Sequence, residues 1–317
     1  MSARRLALGA IIAVAACGGG GGGPSMGPPP PEPTPAPTSR DPVIAAAGDI
    51  VCGLGSRGNA CRDKQTADLL QEISPDVVLP LGDLQYETGA YPDFINFYEL
   101  TWGQMRAISR PVPGNHEYES PSARPYFDYF NGLSAFTGPA GDRDKGYYSY
   151  NLGDWHLIAL NSECARIGGC GPGSPQGNFL KADLAANRRT CTLAYWHHPL
   201  FSSGQNGNSG HMLPTWQILY DAGVDVILNG HDHSYERFAP QSPTRAPEAD
   251  RGMREFVVGT GGRNLTPFPT IQPNSEVRDN TSFGVLRMRL HQVSYEWQFV
   301  SIPGMGGLAD HGTGLCH

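Results

Sequence analysis

No apolar run in this 317-residue chain approaches the ~18 residues needed to cross a bilayer, which excludes a polytopic membrane protein. Charge is scarce as well. Asp, Glu, Lys and Arg make up 17% of the residues, and 23 Lys plus Arg against 30 Asp plus Glu leave a net charge of −7. A surface that tracks a phosphate backbone needs the opposite balance, so no nucleic-acid surface is evident. Glycine shows no period of three, which excludes collagen, and there is no internal repeat. No C-x-x-C occurs, which argues against a cysteine-based zinc site.

Glycine and proline are plentiful instead, 41 and 28 residues, and unevenly placed. Six consecutive Gly (Gly18–Gly23) and a Pro-rich run from Pro24 to Pro42 cannot bury a core; they suit a flexible, then extended spacer. Residues 18–41 therefore read as a disordered tether and 42–317 as one globular body long enough to bury a sizeable core. Ahead of the tether, Arg4 and Arg5 precede the apolar stretch Leu6–Ala16, which fits a signal-peptide h-region. Val14-Ala15-Ala16-Cys17 resembles a bacterial lipobox, whose Cys becomes the lipidated N-terminus. Residues 1–17 are thus expected to be a signal peptide with a lipobox-like Cys. The mature chain would be a membrane-anchored lipoprotein facing the periplasm or cell exterior and touching the membrane by its lipid alone. The alternative is a secreted soluble protein. Six further Cys, an even number in an exported chain, suggest disulfides. Spacing favours Cys52–Cys61 and Cys164–Cys170, leaving Cys191–Cys316.

In the body, short apolar runs each lead into a polar cluster. Val43–Ala47 leads into Gly48-Asp49, Val77–Leu81 into Gly82-Asp83, and Pro111–Pro113 into Gly114-Asn115-His116. Thr192–Trp196 leads into His197-His198 and Val224–Leu228 into Asn229-Gly230-His231. Nearly continuous apolar runs read as strands covered on both faces. Helical patterns lie at Asp63–Ile73, Tyr91–Met105, Phe179–Ala186 and Pro214–Asp221. A hairpin at Tyr147–Leu160 and strands at Arg254–Val258, Phe283–Leu290 and Val293–Val300 follow. Strand–helix alternation followed by hairpins predicts a layered α/β sandwich with two sheets and helices outside.

The chemistry-bearing residues follow the strands, and sites in α/β proteins form beyond the carboxyl ends of strands. Asp49, Asp83, Asn115, His197, His231 and His233 would then converge. Those donors are too many for one small ion and suit two cations sharing a carboxylate, the usual clamp for displacement at phosphorus. Gly259-Thr260-Gly261-Gly262 lacks a P-loop ending and reads as a turn. Trp102, Trp155 and Trp216 read as core.

The ordered blocks Gly48-Asp49, Gly82-Asp83, Gly114-Asn115-His116-Glu117, His197 and Gly230-His231-Asp232-His233 resemble those of the calcineurin-like metallophosphoesterases. Gly82-Asp83-Leu84-Gln85-Tyr86 and Gly230-His231-Asp232-His233-Ser234-Tyr235-Glu236-Arg237 resemble, more finely, the purple acid phosphatases. The resemblance implies a four-layer α/β/β/α sandwich of two mixed sheets flanked by helices, and a dinuclear metal centre. It implies Fe(III) held by Asp49, Asp83, Tyr86 and His233, and divalent Zn, Mn or Fe held by Asp83, Asn115, His197 and His231. A trivalent ion readily deprotonates a phenol of pKa ~10, which agrees with a Tyr86 phenolate ligand. The implied activity is hydrolysis of small phosphate monoesters by metal-activated hydroxide, with no phosphoenzyme. Two alternatives stay open: a phosphodiesterase or nucleotide hydrolase using the same site, and a non-catalytic surface-tethered protein that binds metal or phosphate.

His116 would contact the phosphoryl oxygens or protonate the leaving alkoxide. His197 takes the ligand place of an H-x-P pattern. Alternation along a strand would turn the neighbouring His198 away from the same metal, leaving it to touch phosphate or support the site. Two departures stand out. The first block reads Gly48-Asp49-Ile50-Val51 where purple acid phosphatases often have GDxG, and Asn206-Gly207 stands where plant-type members carry a His pair. His211 or His198 is the substitute for that pair.

Overall fold

Val43–Ala47, five buried uncharged residues, forms strand β1, and most of the expected strands and helices follow. The computed structural model describes residues 41–56 and 61–317; the signal segment 1–17 and all of the tether except Asp41 lie outside the described residues. The other strands are β2 (Val77–Pro80), β3 (Tyr148–Leu152), β4 (Trp155–Ala159), β5 (Cys191–Tyr195) and β6 (Val226–Asn229). They continue with β7 (Tyr235–Phe238), β8 (Arg254–Val258), β9 (Ser275–Asp279), β10 (Gly284–Leu290), β11 (Ser294–Ser301) and β12 (His311–Leu315). Among the described residues these make two mixed sheets, a five-stranded β12-β11-β10-β1-β2 and a seven-stranded β3-β4-β5-β6-β8-β7-β9. β1 is parallel to β2, and β4, β5, β6 and β8 are parallel neighbours.

In the interior of the seven-stranded sheet, β5 is buried on both faces. From β5, Leu193 and Tyr195 join one core with Ile44, Leu286 and Met288 of the other sheet. Ala194 and Trp196 turn to a second core with Leu180, Trp216 and Leu219, on the helices Pro175–Ala186 and Leu213–Asp221. Period-two alternation thus sorts one strand between two cores. Each fully buried Leu adds about 1.5–3 kcal/mol before entropy is counted. The Asp63–Ile73 helix buries Thr66, Leu69 and Leu70 on the first core, which makes the four-layer α/β/β/α sandwich. Trp102, Trp155 and Trp216 are fully buried core residues. All three expected disulfides are present: Cys52–Cys61, Cys164–Cys170 and Cys191–Cys316.

Two expected elements differ. Tyr91–Met105 is not one helix but an α turn (Tyr91–Asp93), a π-helical stretch (Phe94–Tyr98) and a 3₁₀ segment beginning at Trp102. The wider turn buries Phe94, Tyr98 and Trp102 together, while Phe97 and Met105 are only partly buried. Pro111–Pro113 makes no strand; this stretch and its approach carry only the bridges Val78–Ser109 and Leu81–Val112. Pro111 and Pro113 have no N–H to give a ladder. Strands β7, β9 and β12 and the helix Arg124–Asn131 were not expected from the sequence.

Candidate metal centre

β1 and β2 belong to one sheet and β5 and β6 to the other, so their carboxyl ends form a rim that straddles both sheets rather than the edge of one. Asp49, Asp83, His197 and His231 sit two or three residues past those ends. Cross-sheet bonds close the rim: the Gly48 N–H donates to Val258 O at 2.9 Å, and the His231 N–H donates to Asp49 Oδ2 at 2.8 Å. Asp49, Asp83 and His231 have φ of 59°, 50° and 73°, the left-handed region that non-glycine residues enter at about 1–3 kcal/mol each. Side-chain acceptors hold them there. Glu117, fully buried, accepts the N–H groups of Asp83 (2.9 Å), Leu84 (2.9 Å) and Gly114 (2.8 Å), so it fixes the Asp83 loop as well as its own. Gly114 must be glycine for this fit, since a Cβ there would lie 2.3 Å from Asp83 Oδ1.

The seven residues expected as ligands come together. The Tyr86 hydroxyl lies 2.8 Å from Asp49 Oδ1 and 3.1 Å from both Asp83 Oδ2 and His233 Nε2. One O–H proton serves one of those three acceptors. His197 Nδ1 is 2.8 Å from Leu81 O, and a carbonyl only accepts, so Nδ1 carries the proton. That leaves Nε2, 3.3 Å from Asp83 Oδ2, to take either a second proton or a cation. His233 repeats the pattern: Nδ1 faces Asn264 Oδ1 at 3.1 Å, and Nε2 faces Asp49 Oδ1 at 3.2 Å. His116 ties Nδ1 to Glu87 O and brings Nε2 within 3.9 Å of Asp83 Oδ2. An oxygen acceptor on one ring nitrogen orients the other for a metal. His197 Nε2 and Asn115 Oδ1 are buried with no hydrogen-bond partner among the described residues.

The electrostatics ask for positive charge. Burial opposes ionisation of Asp49 and Asp83, yet His233 beside Asp49 and His197 beside Asp83 hold both carboxyls below the usual range. Burial would lower His197, but Asp83 pushes it up to about 10. A proton there takes the place of a cation. Burial and the two carboxylates push the Tyr86 phenol well up, so only a cation would make it a phenolate. Burial and His197 bring His231 down to about 4, a neutral ring ready to donate. Two metal-compatible groups, Asp49–Asp83–His197 and His197–His198–His231, share His197. The donors and the orphaned atoms fit a pair of cations.

His198 corrects an expectation. β5 ends at Tyr195, so strand alternation no longer governs residues 197 and 198, and the His198 ring lies 4.1 Å from that of His231 and 5.0 Å from that of His197. Ser162 Oγ (2.9 Å) and Glu163 Oε1 (3.6 Å) hold its Nδ1. His211 is further out: its ring is 5.6 Å from His198, and Nε2 donates to Ser162 O at 3.2 Å. Asp232, between two of the ligands, turns away from them to accept from Ser202 Oγ and from Asn206 N at 2.7 Å. It thereby anchors the loop whose Asn206 amide donates to His231 O at 2.9 Å.

A cleft of about 270 Å³ opens over the centre. Besides expected residues it is lined by Glu87, Gln205, Asn206, Arg263, Asn264 and Thr266, none of which the sequence marked as functional. The available signal was the glycine run at 259–262. A larger cleft of about 840 Å³, between the helices Pro175–Ala186 and Leu213–Asp221, shares none of these residues.

Comparison with known proteins agrees with this geometry. Residues 42–235 match the family model described as calcineurin-like phosphoesterase. Purple acid phosphatase 15 of Arabidopsis thaliana is 28% identical over 263 residues, covering 70% of this chain and 47% of that protein. Purple acid phosphatase 21 of the same plant is 29% identical over 271 residues, covering 80% and 58%. This chain thus spans about half the length of the curated relatives it matches. The structure of purple acid phosphatase PPD1 from yellow lupin (Lupinus luteus) seeds shares the fold, with a TM-score of 0.68 at 20% identity over 87% of this chain and 54% of that one.

Proposed function

The chain belongs to the calcineurin-like phosphoesterase family, and we propose that it is an extracytoplasmic hydrolase of small phosphate monoesters with a purple acid phosphatase-like dinuclear centre. One observation carries the reading: seven metal-compatible side chains meet at one rim, and two of their buried metal-compatible atoms, Asn115 Oδ1 and His197 Nε2, have no hydrogen-bond partner among the described residues. Asp49, Asp83, Tyr86 and His233 would hold Fe(III), and Asp83, Asn115, His197 and His231 a divalent Zn, Mn or Fe, with Asp83 shared. Cations there supply charge to draw in phosphoryl oxygens and acidify a water toward neutral pH. The residues of the chain do the rest. Leu81 O and Asn264 keep His197 and His233 in the donor tautomer. His116 donates its Nδ1–H to Glu87 O, so it would reach a phosphoryl oxygen or the departing alkoxide through an Nε2–H carried by the doubly protonated ring. His198 and His211 are the other candidates for the leaving-group proton. Of the two, His198 has the closer geometry to the centre.

Three disulfides support an oxidising, extracytoplasmic location. In this reading residues 1–17 direct export, Cys17 carries the lipid, 18–41 form the tether and 42–317 the catalytic body. The test is metal analysis of the purified full-length chain with turnover of aryl phosphate mono- and diesters. Two metals per chain and faster monoester hydrolysis, both lost on chelation, are expected. A diester preference would favour the phosphodiesterase alternative. Two bound metals without turnover of either ester would leave a binding protein.

A further inference from the structure

The glycine run after β8 is more than a turn. Gly261 N–H donates to Gly48 O and Arg263 N–H to Asp49 O, both at 2.9 Å, so the segment lies flat on the loop that carries Asp49. A Cβ on Gly261 would stand 2.4 Å from Gly48 O, which is why that contact takes glycine. The close approach delivers Arg263 and Asn264 to the cleft. The Arg263 guanidinium lies 5.0 Å from the centre of the Tyr86 ring, and its Nη2 is 2.7 Å from Glu87 Oε1. Its Nε is buried with no hydrogen-bond partner among the described residues, and Glu87 is bonded to Nη2. Among the described residues lining the cleft, Arg263 is the sole Lys or Arg.

We propose that Arg263 binds a terminal oxygen of the substrate phosphoryl group and makes the cleft select monoesters over diesters. The inference rests on the phosphatase reading of the same site. A monoester phosphoryl group has three terminal oxygens and up to two negative charges; a diester has two and one. A guanidinium at the mouth rewards the extra anionic oxygen, because its planar fork matches phosphate and its charge never titrates away. Glu87 is half exposed, and an ion pair with such a partner is worth little, so an incoming phosphoryl group replaces it at small cost. Until then the pair keeps the guanidinium stacked over Tyr86, where little rearrangement is needed on binding.

The experiment compares full-length, metal-loaded wild type with Arg263→Ala and Arg263→Lys. Calorimetry measures binding of inorganic phosphate, and kcat/KM is measured on p-nitrophenyl phosphate and bis-p-nitrophenyl phosphate. Metal content is checked in each sample. Arg263→Ala should weaken phosphate binding and monoester kcat/KM by about tenfold to a hundredfold, the loss of a charge-assisted contact. Diester kcat/KM should stay within about threefold and metal content unchanged. Arg263→Lys, with charge but no fork, should fall between; if Arg263→Ala does not fold, Lys alone decides. Phosphate affinity within about twofold of wild type in the folded variant, or equal losses on both esters, overturns the proposal. If wild type turns over neither ester, the phosphatase reading fails, and the calorimetry still judges Arg263 on phosphate alone.

Discussion

Gly114→Ala tests whether the centre depends on backbone packing around Asp83. The added methyl would lie 2.3 Å from Asp83 Oδ1, 2.5 Å from Asp83 N and 2.9 Å from His197 Cδ2. Ordinary contacts are longer than these by about an ångström, and Asp83 has no easy retreat. Its N–H is bound to Glu117 Oε2 at 2.9 Å, and its Oδ1 accepts the His116 N–H at 2.9 Å. Overpacking costs about 1–3 kcal/mol, and loss of the Gly114 N–H bond to the Glu117 carboxylate about 1.5–3. Destabilisation of roughly 2.5–6 kcal/mol follows, lowering the melting temperature of a body this size by roughly 5–24 °C. The larger effect is expected on the site, since misplacing a carboxylate in a catalytic centre by about 1 Å costs about a hundredfold in rate. Bound metal should fall well below two ions per chain, measured by elemental analysis beside thermal melts. Gly210→Ala, where a Cβ would meet nothing within 4 Å, is the control. A folded Gly114→Ala protein that holds two metals with wild-type affinity would refute the reasoning.

Other outcomes follow from single contacts. Tyr86→Phe should abolish any visible phenolate–Fe(III) absorption, and an iron-loaded wild type without colour would remove Tyr86 from the ligand set. Cys17→Ser should shift the chain out of the membrane fraction; unchanged fractionation would argue against the lipid anchor. Asp225, 3% exposed, accepts N–H groups from Thr192 and His317 at 2.8 Å, and burial pushes its carboxyl up to about 6. An acid whose folded pKa lies above its unfolded value near ~3.9 favours folding at low pH and costs stability as pH rises through that window, here about 3 kcal/mol at most. Asp225→Asn should therefore gain stability relative to wild type between pH 4 and 7, and a pH-independent difference in denaturant titrations would exclude the effect.

How much of this was legible from residues alone depended on burial. β1, β2, β5 and β6 could be read because both faces of each are covered, so their apolar runs are nearly unbroken and the polar residue at each end stands out. That is why Asp49, Asp83, His197 and His231 could be found without coordinates. β9, Ser275–Asp279, and β12, His311–Leu315, lie at sheet edges with half-exposed or exposed residues, and leave no such trace. The error over His198 has the same root, since alternation holds only while the ladder does, and β5 stops two residues before His197. Arg263 was hidden for a different reason. Nothing in its own neighbours marks it; what brings it to the cleft is Gly261 lying against Gly48, a contact between segments some two hundred residues apart. Ligands announced by strand ends can be read in order along the chain, whereas a residue delivered by close backbone packing needs the packing to be seen. On the role proposed for Arg263, ester selection would rest on the part of this site that local pattern encodes least, and Arg263→Ala is expected to change the ester preference while leaving bound metal unchanged.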